Sequence, residues 1–151
     1  MQATIISDTS CLILLDKIDA LQLLRKLYIT VIVTQVVAEE FNKQLLEWIA
    51  VQNPKDVKNE QLLLASLDKG EASSIALALE QKNCRLIIDE QKGRKVARKL
   101  GLTITETLGV LAGAKQLGFI PILKPVFEKI KQTDFRLSEE LLNEVLIQVG
   151  E

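Results

Sequence analysis

Two short apolar runs that each break off in an aspartate constrain this chain more than any other feature. Thr4-Ile5-Ile6-Ser7-Asp8 passes at once into Thr9, Ser10 and a second apolar run, Cys11 to Leu15; Arg85-Leu86-Ile87-Ile88-Asp89 passes into the helix-compatible stretch Gln91 to Leu100. Unbroken apolar runs of this length, separated by helical patterns, are the mark of strands buried on both faces in a parallel α/β sheet. Ligands of such sheets bind in the crevice outside the carboxyl ends of the strands, where Asp8 and Asp89 stand.

Composition narrows the chemistry open to those acids. With 151 residues, 48% of them apolar and 4% aromatic, the chain has the size and apolar content of one domain with its own core. The expectation is a single domain over residues 1–151. No basic N-terminal region leads into a long apolar stretch, and every apolar run is broken by charge well short of a bilayer span. The expectation is therefore a soluble, cytoplasmic protein. Cys11 and Cys84 both lie in apolar contexts and read as buried free thiols. The absence of histidine is more informative. It excludes Ser-His triads, histidine bases and the usual zinc sites, leaving carboxylates, hydroxyls, lysines or water activated by a metal.

Patterning along the chain supplies the other elements. Asp19 is placed to cap a helix over Ala20 to Tyr28, Ile29 to Val33 is a second β-branched strand, and Thr34 caps a helix through Phe41. Residues 43–67, carrying Leu45, Leu46, Trp48 and Ile49 and then Glu60 to Leu67, read as a helical insertion. Trp48 is placed there as a packing residue or, alternatively, as a partner contact. Ala72 to Gln81 forms a buried helix, Leu102 to Ile104 a fourth strand, and helices over 106–117, 121–131 and 138–149 close the chain. Strands alternating with helices imply parallel pairing through right-handed crossovers. The predicted architecture is a three-layer α/β/α sandwich around four parallel strands, or five, in the order 2-1-3-4. That order sets Asp8 and Asp89 side by side at the topological switch point.

Two further carboxylates join them. Glu40 falls within the apolar stripe of Val36, Val37 and Phe41, and Glu71 lies in the first turn of the buried helix after Asp68-Lys69-Gly70. Each acid has an ordinary alternative: Asp8 and Asp89 as helix caps, Glu40 paired with Lys43 or Gln44, Asp68 and Glu71 as a capping box. Together they are harder to explain so. Two like charges about 4 Å apart repel by roughly 4 kcal/mol at an effective dielectric near 20, against a domain stability of about 5 to 15 kcal/mol. Such a cluster needs a cation or protonation. All-oxygen ligands select magnesium or manganese, and a pair of such ions can activate water and stabilise the leaving oxygen of a phosphodiester. Five of the eight residues from Lys92 to Lys99 are basic. They are either a solvated face or a seat for a nucleic-acid backbone, with Lys92, Arg94, Lys95 and Arg98 the candidate contacts and Arg94 alternatively a brace for a carboxylate.

The order of these motifs resembles the PIN-domain ribonucleases, and in particular the bacterial branch that includes the toxin halves of toxin–antitoxin pairs. The matching pieces are Ile5-Ile6-Ser7-Asp8-Thr9-Ser10, Val37-Ala38-Glu39-Glu40-Phe41, Gly70-Glu71-Ala72, Ile87-Ile88-Asp89-Glu90 with Gly93-Arg94 and Ala97, and Leu108-Gly109-Val110-Leu111. They span nearly the whole chain. The resemblance implies a PIN-like fold and a Mg²⁺- or Mn²⁺-dependent endoribonuclease, with Asp8, Glu40, Glu71 and Asp89 as catalytic and metal-holding acids and Thr9 or Ser10 in support. It also implies a cognate antitoxin and a homodimer. Related sequences tend to carry glycine where this chain has Glu106, between Thr105 and Thr107, so Glu106 is a candidate extra acid that would add a ligand, crowd the metal or favour the following helix's N-terminus. The alternative from another class is a catalytically silent PIN-like module that binds RNA or a protein. A phosphatase of the HAD type would want a second aspartate two residues after Asp8, where Ser10 stands.

Overall fold

In the computed structural model, which describes residues 4–151, the two aspartate-ended runs are adjacent parallel strands. Strand β1 (Thr4–Ser7) leads into α1 (Thr9–Lys17) and α2 (Gln22–Leu27), then β2 (Thr30–Val33), α3 (Gln35–Phe41) and β3 (Ile49–Val51). Helices α4 (Val57–Leu63) and α5 (Lys69–Glu80) precede β4 (Cys84–Ile87), followed by α6 (Gln91–Lys99), β5 (Ile104–Thr105), α7 (Thr107–Gln116), α8 (Lys124–Lys131) and α9 (Glu139–Gln148).

All four strand pairings are parallel, in the order β3-β2-β1-β4-β5. This is the expected 2-1-3-4 order with one strand added at the β2 edge. Side chains alternate across the sheet as strand geometry requires. Ile5, Val31, Val33 and Ile87 face a core shared with α1, α2, α7, α8 and α9, whereas Ile6, Ile32, Leu86 and Ile88 face α5 and α6. The three-layer arrangement holds Asp8 and Asp89 rigidly, because the strands before them are buried on both faces.

The added strand lies inside the stretch read as a helical insertion. Ile49, Ala50 and Val51 pair with Val31, Ile32 and Val33, and only Ile49 of the three is buried. A three-residue edge strand carries too little alternation to be seen locally; pairing to β2 decides it. Helix α4 also starts earlier than Glu60, because Asp56 caps it by accepting from the Lys58 and Asn59 amides. Trp48 packs against the larger core. The expected cap at Asp19 does not form. Its φ of 58° places it in a left-handed turn, and α2 begins three residues later without a side-chain cap. Aspartate tolerates that conformation because its short side chain bonds locally. Among the described residues no helix is long and apolar enough to cross a membrane.

Candidate active site

Asp8 ends β1 and caps α1. One carboxyl oxygen accepts from the Cys11 amide at 2.9 Å, and the other accepts from the Asp89 amide at 2.9 Å, so the cap also ties β1 to the end of β4. Only 5% of the residue is exposed. Burial, followed by the Asp89 charge beside it, pushes the Asp8 carboxyl up to about 8, against two backbone bonds that pull it down. Capping is thus real, and it does not account for the site: a cap needs no second carboxylate at its back.

Glu71, in the first turn of α5, behaves in the same direction. Burial and then the charges of Asp68, Glu90 and Glu40 raise it to about 7. Asp68 caps α5 by accepting from the Glu71 amide at 2.9 Å. Glu40, on α3, is more exposed than its place in the apolar stripe suggested. Its Oε1 nevertheless accepts from the Thr9 hydroxyl at 2.6 Å, which turns the carboxylate toward α1 and α5. Gly70 permits this: a Cβ there would stand 2.4 Å from that same Glu40 oxygen and 3.3 Å from Thr9 Oγ1. Gly93 plays a similar part for α6, where a Cβ would meet Ile88 at 2.5 Å and Glu71 Oε2 at 3.1 Å.

These side chains enclose a cavity of about 60 Å³ lined by Asp8, Thr9, Ser10, Glu40, Asp68, Gly70, Glu71 and Glu90. Three of the four expected acids are gathered there. Asp89 lies behind Asp8 and opens onto a neighbouring, larger cavity that shares Ser10 and Glu90 with the first. Both Asp89 oxygens are occupied, accepting from the Thr107 amide at 2.8 Å and the Thr107 hydroxyl at 2.6 Å. Thr107 is buried at the start of α7 and was not foreseen as a partner. Nor were Asp68 and Glu90 foreseen as lining residues. The Asp89-Glu90 doublet at a strand end was the available signal for Glu90.

Glu106 does not reach the small cavity. It pairs at 3.1 Å with the Arg94 Nε, and Arg94 also donates to the Asp89 main-chain carbonyl. Arg94 is therefore half-buried and engaged as a brace. Lys92, Lys95 and Arg98 are exposed on α6.

Among the described residues, no three acidic, cysteine or histidine side chains converge closely enough to be a ready-made metal cage. The donor set still suits a hard divalent cation: five carboxyl groups and two hydroxyls, all oxygen, around a space of ion size, with a glycine cradle that a Cβ would fill. Burial and the neighbouring carboxylates raise Asp8 and Glu71, the direction that crowding acids at one place produces.

A family model described as DUF3368, PIN domain, matches residues 4–151. No curated protein and no solved structure matches the chain at significant similarity.

Proposed function

The chain belongs to the PIN-domain family, whose members are generally nucleases that use divalent metal ions, and from that premise we propose that it is a metal-dependent endoribonuclease acting as the toxin of a toxin–antitoxin pair. The observation that carries this reading is the gathering of Asp8, Glu40 and Glu71 around one small cavity, with Asp8 and Glu71 raised to about 8 and about 7 by burial and by the carboxylates beside them. Asp8, Glu40 and Glu71 would hold Mg²⁺ or Mn²⁺, with Asp68 and Glu90 close by. When bound, the cation supplies an acidified water and offsets the charge that develops on phosphodiester cleavage.

The chain's own residues do the rest. Thr9 fixes Glu40, Thr107 fixes Asp89, and Asp89 bears on Asp8 through its amide and its charge. Ser10 lies where both cavities meet. The exposed Lys92, Lys95 and Arg98 offer the RNA backbone a positive rail, leading away from Asp89. In this reading the protein works in the cytoplasm as a homodimer restrained by a cognate antitoxin.

The test is incubation of the purified protein with assorted RNAs and Mn²⁺ beside Asp8→Asn, which can keep the bond from the Cys11 amide but removes the charge and the bond from the Asp89 amide, its fold checked by a melting curve. We expect cleavage to fall on the order of 10²-fold or more in the variant; equal cleavage by both proteins overturns the proposal.

One observation favours a second reading, a silent PIN-like module that binds RNA or a protein. Asp89 spends both oxygens on Thr107. A silent module predicts no Mn²⁺-induced rise in melting temperature; a rise that disappears in Asp89→Asn counts against it.

A further inference from the structure

The larger cavity beside Asp89, about 350 Å³, has a different character from the carboxyl site it adjoins. Its far wall is the segment between α8 and α9 together with the first turn of α9, contributing Phe135, Arg136 and Leu141. Phe135 is fixed in place. It packs against the main core, its amide donates to Thr133 Oγ1 at 3.2 Å, and the Lys17 ammonium lies 5.6 Å from its ring centroid. Arg136 is exposed and forms no ion pair among the described residues. Glu106 enters from the opposite side with Oε1 committed to Arg94, leaving Oε2 with no donor among the described residues. The space is of the size that takes a small ligand.

We propose that this cavity is a base-binding pocket, receiving the unpaired base of the nucleotide next to the phosphate held at the carboxyl site, stacked on Phe135, with Arg136 on the backbone. Ser10 and Glu90 line both cavities, so the two adjoin at the carboxyl end of the sheet. A preformed aromatic platform with a free arginine beside it is the chemistry that holds a splayed base and its phosphate. The unengaged Glu106 oxygen is an acceptor in search of a donor. A base supplies one from an exocyclic amino group, as in adenine, cytosine and guanine, or from a ring N–H, as in guanine and uracil, so this contact orients a base without choosing among the four.

This rests on the ribonuclease reading for its position, but binding can be measured without turnover. Titrating the metal-free protein with AMP, CMP, GMP and UMP, followed by NMR, is expected to give saturable binding of all four nucleotides. Phe135→Leu, which keeps an apolar side chain against the core, is expected to weaken them about tenfold, as the loss of one stacking platform does. With RNA as substrate, Phe135→Leu raises KM and leaves kcat. If AMP binding depends on Phe135 while RNA stays uncut, the ribonuclease reading fails and the pocket stands. If RNA is cut but no nucleotide binds, or if binding is the same in Phe135→Leu, the pocket is overturned.

Discussion

At the residue scale, Gly70 and Thr107 matter as much as the acids. An alanine at Gly70 would place its Cβ against the Glu40 oxygen that accepts from Thr9. That oxygen is the end of a flexible side chain, so it would swing aside at little cost to the fold. Alanine also suits a helix better than glycine by about 1 kcal/mol. We expect Gly70→Ala to melt no lower than the parent and to lose roughly 10²-fold in RNA cleavage, the scale of a misplaced group about 1 Å out of position. A melting curve beside a cleavage assay separates the two effects. Thr107→Val keeps the amide bond to Asp89 and removes the hydroxyl bond. Leaving that carboxyl oxygen without its partner should cost about 1–3 kcal/mol, read as a lower urea midpoint. Asp8 and Glu71 are legible in the sequence as acids at element ends, and Glu40 as an acid within a helix's apolar stripe, though the fold leaves it more exposed than that place implies. Thr107 is not legible, because nothing local links it to a residue eighteen positions earlier.

At the element scale, α6 divides its basic residues between two tasks. Arg94 faces inward to Glu106 and the Asp89 carbonyl, while Lys92, Lys95 and Arg98 face solvent. The outward three belong to RNA binding if the proposed function holds. Replacing them together by alanine should weaken RNA binding uniformly across sequences, and each lost contact should reduce the slope of log affinity against log salt by roughly 0.7. A filter-binding series over salt measures it; an unchanged slope would make the face merely solvated. Helices were largely visible from their caps, as Thr34 and Ser138 illustrate, each accepting from an amide three residues on. β3 was invisible because its partner strand lies elsewhere in the chain.

At the scale of the whole molecule, the carboxyl cluster ties stability to pH and to metal. Asp8 rises from 3.8 to about 8 and Glu71 from 4.5 to about 7 on folding. The folded protein therefore binds more protons than the unfolded chain between about pH 4 and 8. The contribution of these two acids to stability falls as pH rises through that window, present in full below their unfolded values and lost above the folded ones. We expect the metal-free protein to melt progressively lower from pH 5 to pH 8.5, and excess Mn²⁺ to flatten the decline by binding the ionised acids. A decline that chelator and Mn²⁺ leave alike would place the cluster outside metal binding. By itself the sequence determined the class of fold, the neighbouring places of Asp8 and Asp89 and the exclusion of histidine chemistry, since these rest on local periodicity and on residue identity. Tertiary contacts set the rest: Glu106 pairs with Arg94, Thr107 clamps Asp89, and the acids divide between two adjoining cavities. Those outcomes depend on which side chains meet across the sheet's carboxyl edge, and contacts between distant segments leave no periodic trace in the chain.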